Sequence, residues 1–281
     1  MAPTMTPYGY SKIQDFESCP HKYYFRWERG LRPKRVNSNM FVGTVIHAAR
    51  HAWLENGKSQ SAGVAAIASA FTDVEGNLQD DPVEFVNYCV RMFTEYATHW
   101  KDEKVERTGY EVDFTTTVGT FPFTGRLDGV VVMDGMVFVD EVKTTGIPPQ
   151  QFIQEMHMDG KTTGYVWATQ KLTGKTVAGV YLDIIYKKRD KAKTFEFVRD
   201  ITLRSEDQLR QWEAATIDKL VHIESCRSAG YWPHHFGHCH GRYGKCPYLD
   251  LCKFGEREEL IEAQFTTVVE EGGETDVNGT P

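Results

Sequence analysis

The chain has no run of about 18 consecutive apolar residues, so no segment reads as a membrane span. Its start, Met1 to Tyr10, lacks a charged stretch followed by an apolar one, so no secretion signal is expected and the expected compartment is cytoplasmic. Cysteine is sparse, six in 281 residues, and without an export signal disulfides are not expected. A phosphate-binding loop is missing too. TGKT at 173–176 has Thr169 where the first glycine should stand, and it leads into a strand, which excludes an ATPase of that type. There is no internal repeat and no linker that would divide the chain. A hydrophobic content of 41% suffices for one packed domain, expected over 1–255.

An excess of positive charge is also lacking, since the net charge is −7. From Glu256 onward, however, eight acidic residues face one basic residue, which accounts for all of that charge. The body is neutral and can still carry a basic groove. The densest basic cluster is Lys187, Lys188, Arg189, Lys191 and Lys193, read equally as a solvated hairpin tip or a DNA contact. Residues 256–281 read as an acidic, disordered tail.

What is present alternates between two periods. Helices are expected over 11–18 with Ser11 as N-cap, then over 40–56, 61–73, 82–101, 149–171 and 206–228. Strands are expected over 110–118, 121–133, 136–143, 177–187 and 194–202. The pairs Gly119-Thr120 and Asp134-Gly135 mark tight turns between the first three strands. The layout is one α/β domain with helical additions.

The most informative stretch is FTGRLDGVVVMDGMVFVDEVKTTG, residues 123–146. Glu141 and Lys143 are two apart on a strand and share a face. A hairpin brings Asp128 beside Glu141. Two close carboxylates repel, and a divalent cation with a preference for oxygen relieves that repulsion. A lysine beside them offsets charge on a phosphate. The chemistry that suits this set is attack of an activated water on a phosphodiester.

Four blocks in order, SKIQDFESCPHKYYFRW (11–27), GTVIH (43–47), GRLDG (125–129) and DEVKT (140–144), resemble the RecB-type branch of the PD-(D/E)XK nuclease superfamily. That branch includes iron–sulfur CRISPR-associated and phage exonucleases. The resemblance implies a restriction-endonuclease-like mixed central sheet flanked by helices, with an N-terminal helical insertion and a Cys-rich C-terminal segment. It implies Asp128, Glu141 and Lys143 as catalytic residues. His47, Asp128, Glu141 and the carbonyl of Val142 would be ligands to Mg²⁺ or Mn²⁺, with His51 as the local competitor of His47. The family's Gln-x-x-x-Tyr pattern is met by Tyr165, but Lys161 stands in the Gln position, and Gln154 is the alternative if the register differs. Lys161 and Tyr165 are the candidates for positioning DNA.

Cys239, Cys246 and Cys252 crowd together with spacing C-x6-C-x5-C, where the family pattern opens with C-x2-C. With Cys19, they are the ligands the resemblance implies for a 4Fe–4S cluster joining the chain ends. Zn²⁺ is the rival, since His235, His238 and His240 lie beside Cys239. Cys89 and Cys226 read as core thiols. The function implied is a metal-dependent DNA exonuclease of recombination, repair or phage DNA processing. It would act on DNA ends or single strands in a bacterial cell or phage-infected host, with any helicase activity supplied by a partner. The alternatives are a non-cutting DNA-binding or scaffold subunit and a zinc-stabilised interaction module.

Overall fold

The computed structural model describes residues 6–72, 77–78, 80–188, 194–241 and 244–268. The chain begins with α1 (Tyr10–Ser18), α2 (Pro20–Tyr23), a π-helical turn (Tyr24–Glu28) and β1 (Leu31–Pro33). Three helices follow, α3 (Ser38–Glu55), α4 (Gln60–Thr72) and α5 (Pro82–His99). The meander β2 (Glu106–Val118), β3 (Phe121–Met133) and β4 (Met136–Thr145) leads into α6 (Pro149–Met156) and α7 (Gly160–Thr173). Then come β5 (Val177–Lys187), β6 (Phe195–Leu203) and the long α8 (Glu206–Ala229). The last part holds the short strands β7 (His240–Gly241) and β8 (Gly244–Lys245), then α9 (Leu249–Phe254), α10 (Glu258–Gln264) and β9 (Phe265–Thr267).

Strands β2 to β6 form one sheet in sequence order. All neighbours are antiparallel except β4 and β5, which run parallel and are joined across α6 and α7. This is the mixed α/β sheet of the restriction-endonuclease-like fold. The alternation along β4 assigns its two faces. Val139 packs with α7 and α8, through Val166, Leu209, Trp212 and Leu220. Val142 packs with α3 and α5, through Val45, Ala49, Phe93 and Tyr96. On α5 the buried set Phe85, Cys89, Met92, Phe93 and Tyr96 has helical spacing.

Several boundaries differ from the sequence expectation. Ser11 does not cap α1; the helix starts at Tyr10 behind Gly9, and no side chain caps it. The helix expected over 149–171 is two helices, because Asp159 caps a new start by accepting from the Thr162 N–H at 2.8 Å. Gly160 opens α7 where the Tyr10 ring packs so closely that a Cβ would sit 2.4 Å from its hydroxyl oxygen. Strand β2 begins at Glu106, four residues ahead of the expected 110, and a bulge between Arg107 and Gly109 keeps it in register.

The body does not stop at 255. α10 and β9 are ordered, and β9 pairs with β1, so residues 258–267 belong to the fold and not to a disordered tail. Residues 269–281 of that tail, and Arg189, Lys191 and Lys193 of the basic cluster, lie outside the described residues. Among the described residues no helix is long and apolar enough to cross a membrane.

Candidate active site

The turns at Gly119-Thr120 and Asp134-Gly135 set both hairpin registers, and those registers build the site. β3 pairs with β4 from Met133–Met136 to Gly129–Asp140, which makes Glu141 the next position opposite Asp128. There the two strands part, and the Asp128 carboxylate fills the gap by accepting the Val142 N–H at 2.8 Å. In an extended strand the N–H and C=O of one residue leave on the same side, so the Val142 carbonyl faces the same gap. Gly129 is required here, since a Cβ would lie 2.8 Å from the Gly109 carbonyl oxygen.

Glu141 is fully buried. Its Oε1 accepts Lys143 Nζ at 2.5 Å and Lys161 Nζ at 3.1 Å. Its Oε2 is buried with no hydrogen-bond partner. Helix α3 lies over this end of the sheet and sets His47 Nδ1 3.4 Å from Asp128 Oδ1. His51, one turn later, turns to Glu55 at 3.2 Å. Burial alone would raise the Asp128 carboxyl, but His47, then Lys161 and Lys143, hold it well below the usual carboxylate range. Lys161 and Tyr165 reach the site from α7, with the ammonium 5.1 Å from the ring centre. Burial pushes the Tyr165 hydroxyl up to about 12. Gln154, the register alternative, lines a separate shallow surface with Gln150 and Asp200.

Glu111 was missed by the sequence reading. Its backbone is left-handed, at φ +46°, a strained value for a residue with a side chain. Burial raises its carboxyl, and the Asp128 charge adds to that. The signal was available: the β2–β3 register, with Val112 on Leu127 and Tyr110 on Gly129, sets Glu111 opposite Asp128.

An orphaned buried carboxylate oxygen on the strand position opposite a second carboxylate, itself beside an imidazole, is chemistry that suits a hard divalent cation, although the ligand atoms of His47, Asp128 and Glu141 do not all lie within 4.8 Å of one another. His47 and Asp128, with Lys143 and Lys161, line a groove of about 1560 Å³ that Tyr10, Arg126, Lys187 and Lys188 also line, while Glu141 lies buried behind them. Small-molecule pockets are about 300–1,000 Å³. This groove suits a polymer.

The cysteines converge at the junction of the chain ends. Cys246 N–H donates to the Cys239 carbonyl at 2.8 Å, and between them β7 pairs with β8. His235 N–H donates to Cys19 Sγ at 3.4 Å. Burial pushes the Cys252 thiol up to about 11, with Cys246, Cys19 and Cys239 adding repulsion. Of the histidines expected for the zinc alternative, His235 and His238 have rings 5.9 Å apart, but neither they nor His240 join a trio of ligand atoms among the described residues. Among the described residues the trio with ligand atoms within 4.8 Å of one another is His21, His234 and Cys252. The His21 and His234 rings are stacked 3.8 Å apart. Only tertiary folding reveals this pair, because His21 lies in the N-terminal block. One thiol and two imidazoles in mutual reach suit a borderline metal such as Zn²⁺, while Cys19, Cys239 and Cys246 belong to no such trio among the described residues. Cys89 and Cys226 are buried core thiols, as expected.

Comparison with known proteins agrees with this architecture. The family model described as PD-(D/E)XK nuclease superfamily matches residues 8–253. No curated protein matches. The crystal structure of a candidate exonuclease from Eubacterium rectale superposes with a TM-score of 0.54 and 9% identity, over 90% of this chain and 89% of that one. At that identity the likeness concerns the fold alone. A second solved structure, SSO0001, has a TM-score of 0.28 and 14% identity over 66% of this chain and 76% of that one, too loose to bear on the fold.

Proposed function

This chain belongs to the PD-(D/E)XK nuclease superfamily, and from that premise we propose that it is a divalent-metal-dependent deoxyribonuclease working from DNA ends or single strands, with Asp128, Glu141 and Lys143 at the reacting phosphate. The observation that carries the reading is Glu141: wholly buried, one oxygen held by two ammoniums and the other without a partner. A buried acceptor left without a partner costs about 1–3 kcal/mol, which a cation at that oxygen would recover.

Asp128, Glu141, His47 and the Val142 carbonyl are the groups that would hold Mg²⁺ or Mn²⁺. The ion would supply Lewis acidity to the phosphate and make water a stronger nucleophile at neutral pH. Around it the chain's own residues do the remaining work. Lys143, about 29% exposed at the groove, donates to the phosphate oxygens as charge builds on them. Lys161 and Lys143 favour the ionised form of Asp128, the form a cation needs. Lys161 and Tyr165 orient the strand, and the groove lysines give phosphate affinity without reading sequence. At the other end, Cys19, Cys239, Cys246 and Cys252 would hold a 4Fe–4S cluster that ties the chain ends, with Zn²⁺ as the alternative.

The test is digestion of 5′- and 3′-labelled single- and double-stranded oligonucleotides with Mn²⁺. The wild type shortens them from an end. Asp128→Ala removes cleavage, and Lys143→Ala slows it by roughly 10²–10³-fold, both with an unchanged circular-dichroism spectrum. Cutting retained by either variant would overturn the site assignment. A folded wild type that cuts nothing would leave the scaffold reading in its place.

A further inference from the structure

A carboxylate shared between two metal ions is the usual way a hydrolytic site holds cations about 3.5–4 Å apart. Glu141 is a shared carboxylate, but its partners on Oε1 are Lys143 at 2.5 Å and Lys161 at 3.1 Å, and only Oε2 is left without a partner. Lys161 reaches it from the first turn of α7, where a positive charge opposes the helix dipole. A residue placed against local preference at a site is a mark of function. Its side chain remains about 28% exposed, so the ammonium faces both the buried carboxylate and the groove.

The arrangement of charge leads the same way: Lys143 and Lys161 already meet the one Glu141 oxygen they share, and a second dication at that oxygen would stand against both ammoniums, at electrostatic cost.

We propose that the site takes a single divalent cation and that the Lys161 ammonium occupies the place of a second one, presenting its charge to the far side of the scissile phosphate. This rests on the nuclease reading above. It makes Lys161 part of the cation set rather than only a DNA contact. The remaining oxygen, Glu141 Oε2, then belongs to the one ion.

The test is Mn²⁺ titration of the full chain by calorimetry, followed by electron paramagnetic resonance of the loaded protein. The wild type binds one Mn²⁺ with an uncoupled six-line spectrum. Lys161→Gln binds a second, with a spin-coupled spectrum, or binds the first roughly tenfold or more tightly, because a nearby positive charge has gone. Lys161→Arg keeps one equivalent. Two coupled Mn²⁺ in the wild type, or no change of stoichiometry and affinity in a folded Lys161→Gln, would overturn the proposal. Asp128→Asn separates the two readings: if it binds Mn²⁺ as the wild type does, the ion is not at this site, and the nuclease assignment fails before the role of Lys161 is at issue.

Discussion

Asp140 and Glu141 are neighbours on β4, both fully buried, and they face opposite sides of the sheet. On the Asp140 side the cations are arginines. Arg50 donates to both Asp140 oxygens, at 2.9 and 2.7 Å, and also to Asp183 at 3.2 Å. Arg107 joins Asp140 to Glu103, and Arg199 joins Asp183 to Glu103. Three acids meet three guanidiniums, each under 10% exposed. On the Glu141 side the cations are lysines, more than a quarter exposed. Arginine forks lock carboxylates in planar pairs, whereas ammoniums are mobile point charges that can turn to a substrate. Each side leaves one buried carboxylate oxygen without a hydrogen-bond partner, Asp183 Oδ1 and Glu141 Oε2, so what separates the two faces is their cations: a closed brace of buried forks on one, and partly exposed ammoniums beside a groove on the other. The brace also matters to the site, since His47 lies one turn from Arg50 on α3.

Four experiments can break or sharpen that contrast. The largest effect belongs to the open side: Asp128→Ala and Lys143→Ala lose cleavage as described, with melting temperature nearly unchanged. On the closed side the order reverses. Arg50→Met strands Asp140 and Asp183 and costs about 3–5 kcal/mol, read by denaturant unfolding. Whatever fraction remains folded keeps measurable cleavage. If Arg50→Met unfolds no more easily than wild type, the brace is not structural.

The brace also predicts a pH response. Burial would raise the Asp183 carboxyl, but Arg199 and Arg50 hold it below its ordinary value. A depressed acid contributes stability that is present above its unfolded pKa, about 3.9, and lost as pH falls towards the folded value. Unfolding free energy should therefore drop below about pH 4, and Asp183→Asn should show a shallower slope there. An equal slope in both proteins would remove Asp183 from the acid limb. The smallest effect is at the chain ends. Cys252→Ala should lose metal content and about 1 kcal/mol, or 2–4 °C in a chain of this length, with cleavage by the folded protein retained. Unchanged metal content and unchanged melting would end the idea of a metal staple.

The strand signals, both tight turns and the order of the acidic residues were legible in the sequence, because each depends on spacing within one hairpin. The register from Asp134-Gly135 sets Asp128 against Glu141, and the register from Gly119-Thr120 sets Glu111 against Asp128. The helix over 149–171 was misjudged because Asp159 restarts it, a cap hidden in a run of apolar spacing. The end of the fold was misjudged because an acidic stretch looked solvated, and the partner of β9 lies more than two hundred residues away in β1.

By itself, the sequence determined the sheet's hairpins and the residues that carry acid and base along β3 and β4, since side-chain direction alternates with position whatever the rest of the chain does. Tertiary structure alone decided that His47 and not His51 meets Asp128, that Lys161 shares Glu141 with Lys143, that Arg50 closes the opposite face, and that His21 stands with His234 and Cys252. Those contacts join separate elements. Their geometry follows from how helices pack on a finished sheet, which no local period encodes.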